Sequence, residues 1–217
     1  IRLTYIGESQ KGLKIPMVVL KSEAANNTIK VWMQGGLHGD EPASTEGLLY
    51  LMNALLKEKK YSYLFDKLEL AIVPMANIDG YLKLDRYAAN GLDLNRDQTK
   101  LMAVETIVLK SALNEFNPQV ALDFHEYRPY RKDFTKFGDF GVTGSYDVMF
   151  LYSGNLNVPE NLRTFTQDYF VNNAKRTLDN YQFKHHDYFT TNTYDGAIHF
   201  DQGSVSARSS ATSFALQ

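Results

Sequence analysis

The sequence predicts an α/β fold: a largely parallel or mixed sheet with helices on its faces. Three observations predict it. Short β-branched apolar runs alternate with longer segments of helical period. The 217 residues suit one domain with a substantial core. Three of the apolar runs end in polar clusters, where open α/β sheets carry their sites.

The strands come first. Arg2 to Ile6, Pro16 to Leu20, Ile29 to Gln34, Leu68 to Pro74 and Gln119 to Phe124 are short and rich in Val, Ile, Leu and aromatics. Three segments read as helices. Ala43 to Lys60 carries Leu48, Leu49, Leu51, Met52, Leu55 and Leu56, with lysines at the end favoured by the helix dipole. Thr99 to Phe116 places residues 101, 104, 108, 109, 112, 113 and 116 on one stripe. Pro159 to Tyr181 has a proline suited to a first turn and an apolar stripe from Leu162 to Tyr181. There is no repeat, low-complexity stretch or linker, so residues 1–217 read as a single domain.

Composition excludes several classes. With a net charge of −2, nothing in the charge balance argues for nucleic acid or an anionic membrane surface. No apolar run approaches the ~20 residues that span a bilayer. The absence of cysteine rules out disulfides, thiolate metal sites and a thiol nucleophile. The chain opens at Ile1 without a leader, which fits a removed signal peptide or a chosen boundary. Its end, "SARSSATSFALQ", reads as an interruption of the domain.

The polar clusters carry the chemistry. Ile29 to Gln34 runs into "GGLHGDE", Leu68 to Pro74 into "MANIDGY", and Gln119 to Phe124 into "HEYR". His38, Asn77 with Asp79, and His125 could therefore reach one mouth. Gly35 and Gly36 allow a sharp turn at the first strand end. His38, Glu41 and His125 make two imidazoles and a carboxylate, a common catalytic zinc set with the fourth position open. Hydrogen-bonded loop side chains are the other reading of the same residues. In "GLDLNRDQ", Asp93 could accept from the free ring nitrogen of a ligand histidine. Arg96 offers a planar fork for a carboxylate, Asn95 adds an amide, and Arg86 supplies a second positive donor. Alternatively, Arg96 pairs with Asp93 or Asp97 on a solvated loop.

The ordered set His-Gly-Asp-Glu (38 to 41), Asn-Ile-Asp-Gly (77 to 80), Asp-Leu-Asn-Arg-Asp (93 to 97) and Leu-Asp-Phe-His-Glu (122 to 126) resembles the zinc carboxypeptidases typified by carboxypeptidase A. "YIGESQKGLKIPMVVL" also looks like that family's first strands. The resemblance implies a three-layer α/β/α sandwich with a mixed, largely parallel central sheet, and one Zn²⁺ per chain on His38, Glu41 and His125, with Asp93 supporting His38. It implies Asn95 and Arg96 as the grip on the substrate's terminal carboxylate and Arg86 as the stabiliser of the developing oxyanion. Tyr194 is the candidate for the tyrosine that covers the bound residue. The substrate implied is a peptide or peptide-like molecule with a free C-terminal carboxylate. The location implied is secreted or periplasmic.

Two departures matter. The family's general-base glutamate is expected on a strand beyond Gln217, so this chain alone is expected to lack that function. Glu126 does not replace it, because successive residues at a strand end face opposite ways. The arginine frequent after the family's early glycine is replaced here by Leu13 and Lys14. A zinc amidase or deacylase, a peptidoglycan stem-peptide hydrolase, and a non-catalytic carboxylate-binding module are the competing readings. His185, His186 and His199 read as surface or hydrogen-bonding residues rather than a second metal site.

Overall fold

The structure is a computed structural model and describes residues 1–24, 26, 28–152 and 158–188. These divide into two units, residues 1–126 and residues 127–188.

The first unit is built on five strands: β1 (Arg2–Glu8), β2 (Lys14–Leu20), β3 (Ile29–Gly35), β4 (Leu68–Val73) and β5 (Val120–Phe124). All five correspond to apolar runs in the sequence. Their order in the sheet is β1-β2-β4-β3-β5. The β1–β2 and β2–β4 pairings are antiparallel, while β3 lies parallel to both β4 and β5. The sheet is therefore mixed.

Its helices are α1 (Pro42–Lys57), the single turns α2 (Ile78–Tyr81) and α3 (Leu94–Asp97), and α4 (Val104–Phe116). Alternation along the strands sends successive side chains to opposite faces. Leu20, Val31, Leu70 and Ile72 pack with Leu48 and Leu55 of α1. Val19, Trp32, Ala71 and Val73 pack with Leu109, Ala112, Leu113 and Phe116 of α4. With α1 on one face and α4 on the other, the sheet is the middle of three layers.

Two helix bounds differ from the periodicity. The second predicted helix begins at Val104 rather than Thr99, and the Asp97 carboxylate is the reason. It accepts from the backbone N–H of Met102 and Ala103 and from the Thr106 hydroxyl, so it fixes the start of α4 from outside the helix. Leu101 sits in the loop with φ 53°, off the helical path. The predicted helix ending at Lys60 instead stops at Lys57, and a 3₁₀ segment, Lys59–Asp66, leads to β4.

In the second unit, a short parallel pair joins β6 (Val148–Phe150) to β7 (His185–Asp187). The predicted 159–181 helix is present as α5 (Glu160–Phe165), a π-helical stretch (Thr166–Val171) and α6 (Asn172–Asn180). His185 Nε2 lies 2.9 Å from Asp179, and His186 Nδ1 lies 2.6 Å from the Asp187 carbonyl. Both thus have the hydrogen-bonding role expected of them, and His199 lies outside the described residues. Among the described residues, no helix is long and apolar enough to cross a membrane.

Candidate metal centre

The centre is assembled where β3 and β5 end. β3 gives way to a loop that starts at Gly36, whose φ of 66° suits glycine. The carbonyls of Gly35 and Gly36 accept from the N–H of Ala76 (2.9 Å) and Asn77 (2.8 Å), which stitches this loop to the one leaving β4. The loop then carries His38, buried at 3% exposure, and reaches Glu41 just before Pro42 opens α1. Glu41 stands at the N-cap position, but its carboxylate makes no capping bond. It faces the two histidines instead.

Glu41 Oε1 lies 2.7 Å from His38 Nδ1, and Oε2 lies 2.7 Å from His125 Nδ1. One ligand atom from each of the three residues lies within 4.8 Å of the other two. The other ring nitrogens are held from behind. His38 Nε2 lies 3.2 Å from Asp93 Oδ1, and His125 Nε2 lies 3.1 Å from Asp123 Oδ2. A carboxylate behind each imidazole makes Nε2 the donor and leaves the Nδ1 lone pair for a ligand. Two Nδ1 atoms and a carboxylate converging in this way fit the donor set of a catalytic zinc.

The electrostatics follow from this packing. Burial favours neutral His125, but the Asp123 and Glu41 carboxylates outweigh it and raise its pKa to about 10. His38 is likewise raised: burial opposes its charge, and Asp93 and Glu41 more than compensate. Burial would raise Glu41 and Asp93, yet both are held below the usual carboxylate range. His125 and His38 do this for Glu41; His38 and Arg86 do it for Asp93.

Asp93 caps α3 by accepting from Asn95 N–H at 2.9 Å. Arg86 reaches Asp93 Oδ2 through Nε at 3.1 Å and Nη2 at 2.9 Å, with Nη1 3.7 Å from Glu41 Oε1. His38, Glu41, His125, Asp93 and Arg86 are thus one contiguous group. Asn95 and Arg96 follow Asp93 on α3. The Asn95 Oδ1 atom is buried with no hydrogen-bond partner. Arg96 is exposed, and among the described residues its guanidinium makes no ion pair. The solvated-loop alternative, Arg96 against Asp93 or Asp97, is not what forms: Asp93 takes Arg86, and Asp97 serves α4.

Other sequence expectations are redirected. Asn77 does not present its side chain to a ligand. It accepts from Gly80 N–H and donates to the Leu37 carbonyl. Asp79 accepts from the Ser9 hydroxyl at 2.8 Å and from Lys11 N–H at 3.1 Å, anchoring the β1–β2 turn. Both stabilise loops next to the centre. Glu126 accepts from Ala43 N–H, supplying at α1 the cap that Glu41 leaves out, and its own N–H donates to Glu41 Oε2. Tyr194 lies outside the described residues.

Asp123 is the residue that sequence reasoning missed. The signal was present in "DFH". Residues two apart on a strand share a face, so an acid two positions before a strand-terminal histidine is placed to reach it.

Comparisons with known proteins agree with this geometry. The sequence profile of the family described as "Zinc carboxypeptidase" matches residues 1–198. Carboxypeptidase 2 of Trichophyton rubrum is 30% identical over 179 residues, covering 79% of this chain and 33% of its own length. The chain therefore spans about a third of the length of the curated relatives it matches. Among solved structures, carboxypeptidase A from Helicoverpa armigera superposes with a TM-score of 0.67 at 19% identity, covering 86% of this chain and 51% of that one. A metallo-carboxypeptidase from Burkholderia cenocepacia gives 0.54 at 21% identity, covering 59% and 37%. At such identities these structures speak for the fold.

Proposed function

The chain belongs to the zinc carboxypeptidase family, and we propose that it carries the metal-binding part of an enzyme that removes the C-terminal residue from a peptide. The observation that carries this reading is the convergence of His38, Glu41 and His125, each imidazole backed by its own carboxylate. These three residues hold one zinc ion per chain. Zinc, when bound, supplies Lewis acidity toward a carbonyl and brings the ionisation of water close to neutral pH.

The remaining roles belong to this chain's own side chains. Asp93 keeps His38 in the Nδ1-presenting tautomer. Arg86 places a guanidinium beside Glu41, where it stabilises negative charge developing on a carbonyl oxygen. Arg96, whose guanidinium has no ion-pair partner among the described residues, and Asn95 grip the substrate's terminal carboxylate; a two-pronged guanidinium contact fixes the scissile bond one residue away. The family's covering tyrosine is assigned, from the resemblance alone, to Tyr194, which lies outside the described residues. The general base is assigned to no residue of 1–217. The match through residue 198 supports reading the chain as one catalytic domain, and the location proposed for it is secreted or periplasmic.

Zinc content tests the reading. The purified chain should hold about one zinc, and His38→Ala should abolish its uptake, as should His125→Ala. Unchanged metal content in either variant would remove the ligand assignment and the proposed activity with it.

A further inference from the structure

A hydrogen-bond chain runs from the core to the metal centre. Trp32 Nε1 donates to Gln34 Oε1 at 2.9 Å, and Gln34 Nε2 donates to Asp123 Oδ1 at 3.2 Å. Asp123 Oδ2 then lies 3.1 Å from His125 Nε2. Trp32 and Gln34 are each 1% exposed, and the Asp123 side chain is 6% exposed. Trp32 and Gln34 are two apart on β3, Asp123 and His125 two apart at the end of β5, and Gln34 is the register partner of Asp123.

The polarity of this chain is forced at one end. An indole N–H can only donate, so the Gln34 amide must turn its oxygen to Trp32. Its NH₂ therefore faces Asp123. A carboxylate only accepts, so its second oxygen must take a proton from His125 Nε2. Every link agrees in sense, and the one reaching His125 leaves Nδ1 free. The Asp123 carboxylate, which accepts at both oxygens, also requires the Gln34 NH₂ on its side, so both ends of the amide demand the same flip.

We infer that Gln34 is a positioning residue for the metal centre: anchored by Trp32, its NH₂ holds Asp123 Oδ1 so that Oδ2 faces His125 Nε2 and His125 presents Nδ1. The inference rests on the zinc reading above. It concerns a residue that touches neither the ion nor the substrate.

The test exchanges amide and carboxylate across the two strands. Asp123→Asn alone leaves the Gln34 NH₂ facing a second amide. The introduced asparagine must then accept from Gln34 and turn its own NH₂ toward His125, which forces the wrong tautomer. Zinc affinity, measured by chelator competition on the full chain, should fall about 10–100-fold. Adding Gln34→Glu restores the sense. The introduced glutamate accepts both from Trp32 and from the asparagine at position 123, whose oxygen is thereby turned back to accept from His125. The double variant should bind zinc about tenfold or more tightly than Asp123→Asn, and the visible spectrum of its Co²⁺ form should return toward the parent's. Damage to packing cannot produce this gain, since a buried carboxylate has been added. A double variant no tighter than Asp123→Asn overturns the inference while leaving the zinc reading intact. A parent chain that takes up no zinc overturns both. Thermal unfolding of each variant identifies any that do not fold, and a double variant that fails to fold also counts against the exchange.

Discussion

Gly39 sits between two proposed ligands, His38 and Glu41, and its hydrogen in place of a side chain decides whether that loop can close. A Cβ there would lie 2.1 Å from the Gly80 carbonyl carbon, 2.4 Å from Tyr81 N and 2.5 Å from the Asp85 carbonyl oxygen. Relaxed carbon contacts are ~3.5–4.0 Å, so each approach is about an ångström or more short. None of the three atoms can swing aside. Gly80 is tied to the Asn77 side chain at 3.0 Å, and Asp85 N–H is tied to the Gly80 carbonyl at 2.9 Å. Gly39 lies outside the left-handed region, so the cost of Gly39→Ala is steric rather than conformational. Overpacking a close-packed site costs roughly 1–3 kcal/mol when side chains can yield. With three backbone atoms in the way, about 3 kcal/mol is the expected minimum, which lowers Tm by ~6–12 °C in a protein of this size.

The chain can avoid that loss only by lifting the 36–41 loop, which separates His38 from Glu41 and costs zinc affinity. The assay is therefore paired: thermal unfolding by circular dichroism, and zinc competition on the same sample. Gly47→Ala supplies the opposite sign. Gly47 is exposed in α1, nothing lies within 4 Å of its Cβ position, and alanine should add about 0.5–1 kcal/mol. If Gly39→Ala matches the parent in both Tm and zinc affinity, the close approach of this loop to α2 is wrong.

Asp97→Ala should lower the urea midpoint by the equivalent of about 2–3 kcal/mol, because it removes a cap and leaves the buried N–H of Ala103 and the part-buried N–H of Met102 without their acceptor; an unchanged midpoint would contradict its role at α4. Arg96→Ala should leave stability unchanged within about 0.5 kcal/mol. It should weaken binding of a free-carboxylate peptide to the zinc-loaded chain by about 10–100-fold, with little effect on the C-terminally amidated peptide; equal losses on both would refute the clamp. Zinc affinity should rise with pH across the neutral range. The ligating imidazole must be neutral, and with His125 raised to about 10 a proton still competes throughout that window. Each proton displaced contributes up to about tenfold per pH unit, and a flat profile from chelator competition would show that no proton is displaced.

Much of the first unit was legible because its signals are local. Val31 beside Trp32 and Ala71 beside Ile72 announce strands buried on both faces, and the sheet buries them that way. The glycines before His38 announced a turn, and the turn is there. What failed was knowledge of partners. Asn77 and Asp79 end a strand as plausibly as His38 does, but their partners lie 40 and 70 residues away, at Leu37 and Ser9. Nothing near them in sequence says that they tie loops together. The start of α4 failed for a related reason: apolar period cannot register that Asp97 will claim the N–H groups of Met102 and Ala103. β7 is His-His-Asp and carries no apolar residue, so no pattern could reveal it. Asp123 was within reach by the two-residue strand period alone. Gln34 was not, because its meaning depends on β3 and β5 being neighbours in register.

That adjacency also sets the charge balance of the centre. With both imidazoles neutral, Glu41, Asp93 and Asp123 bring three negative charges and Arg86 returns one positive. The excess of two negative charges is what a divalent cation neutralises, and it is also what two imidazole protons neutralise. This is why both histidine pKa values rise against the effect of burial. One dication and two protons are then alternative occupants of the same field, competing for the same Nδ1 positions. Exchange between them leaves the net charge unchanged, so the carboxylates behind the imidazoles, fixed by Arg86 and by Gln34, need not rearrange when the occupant changes.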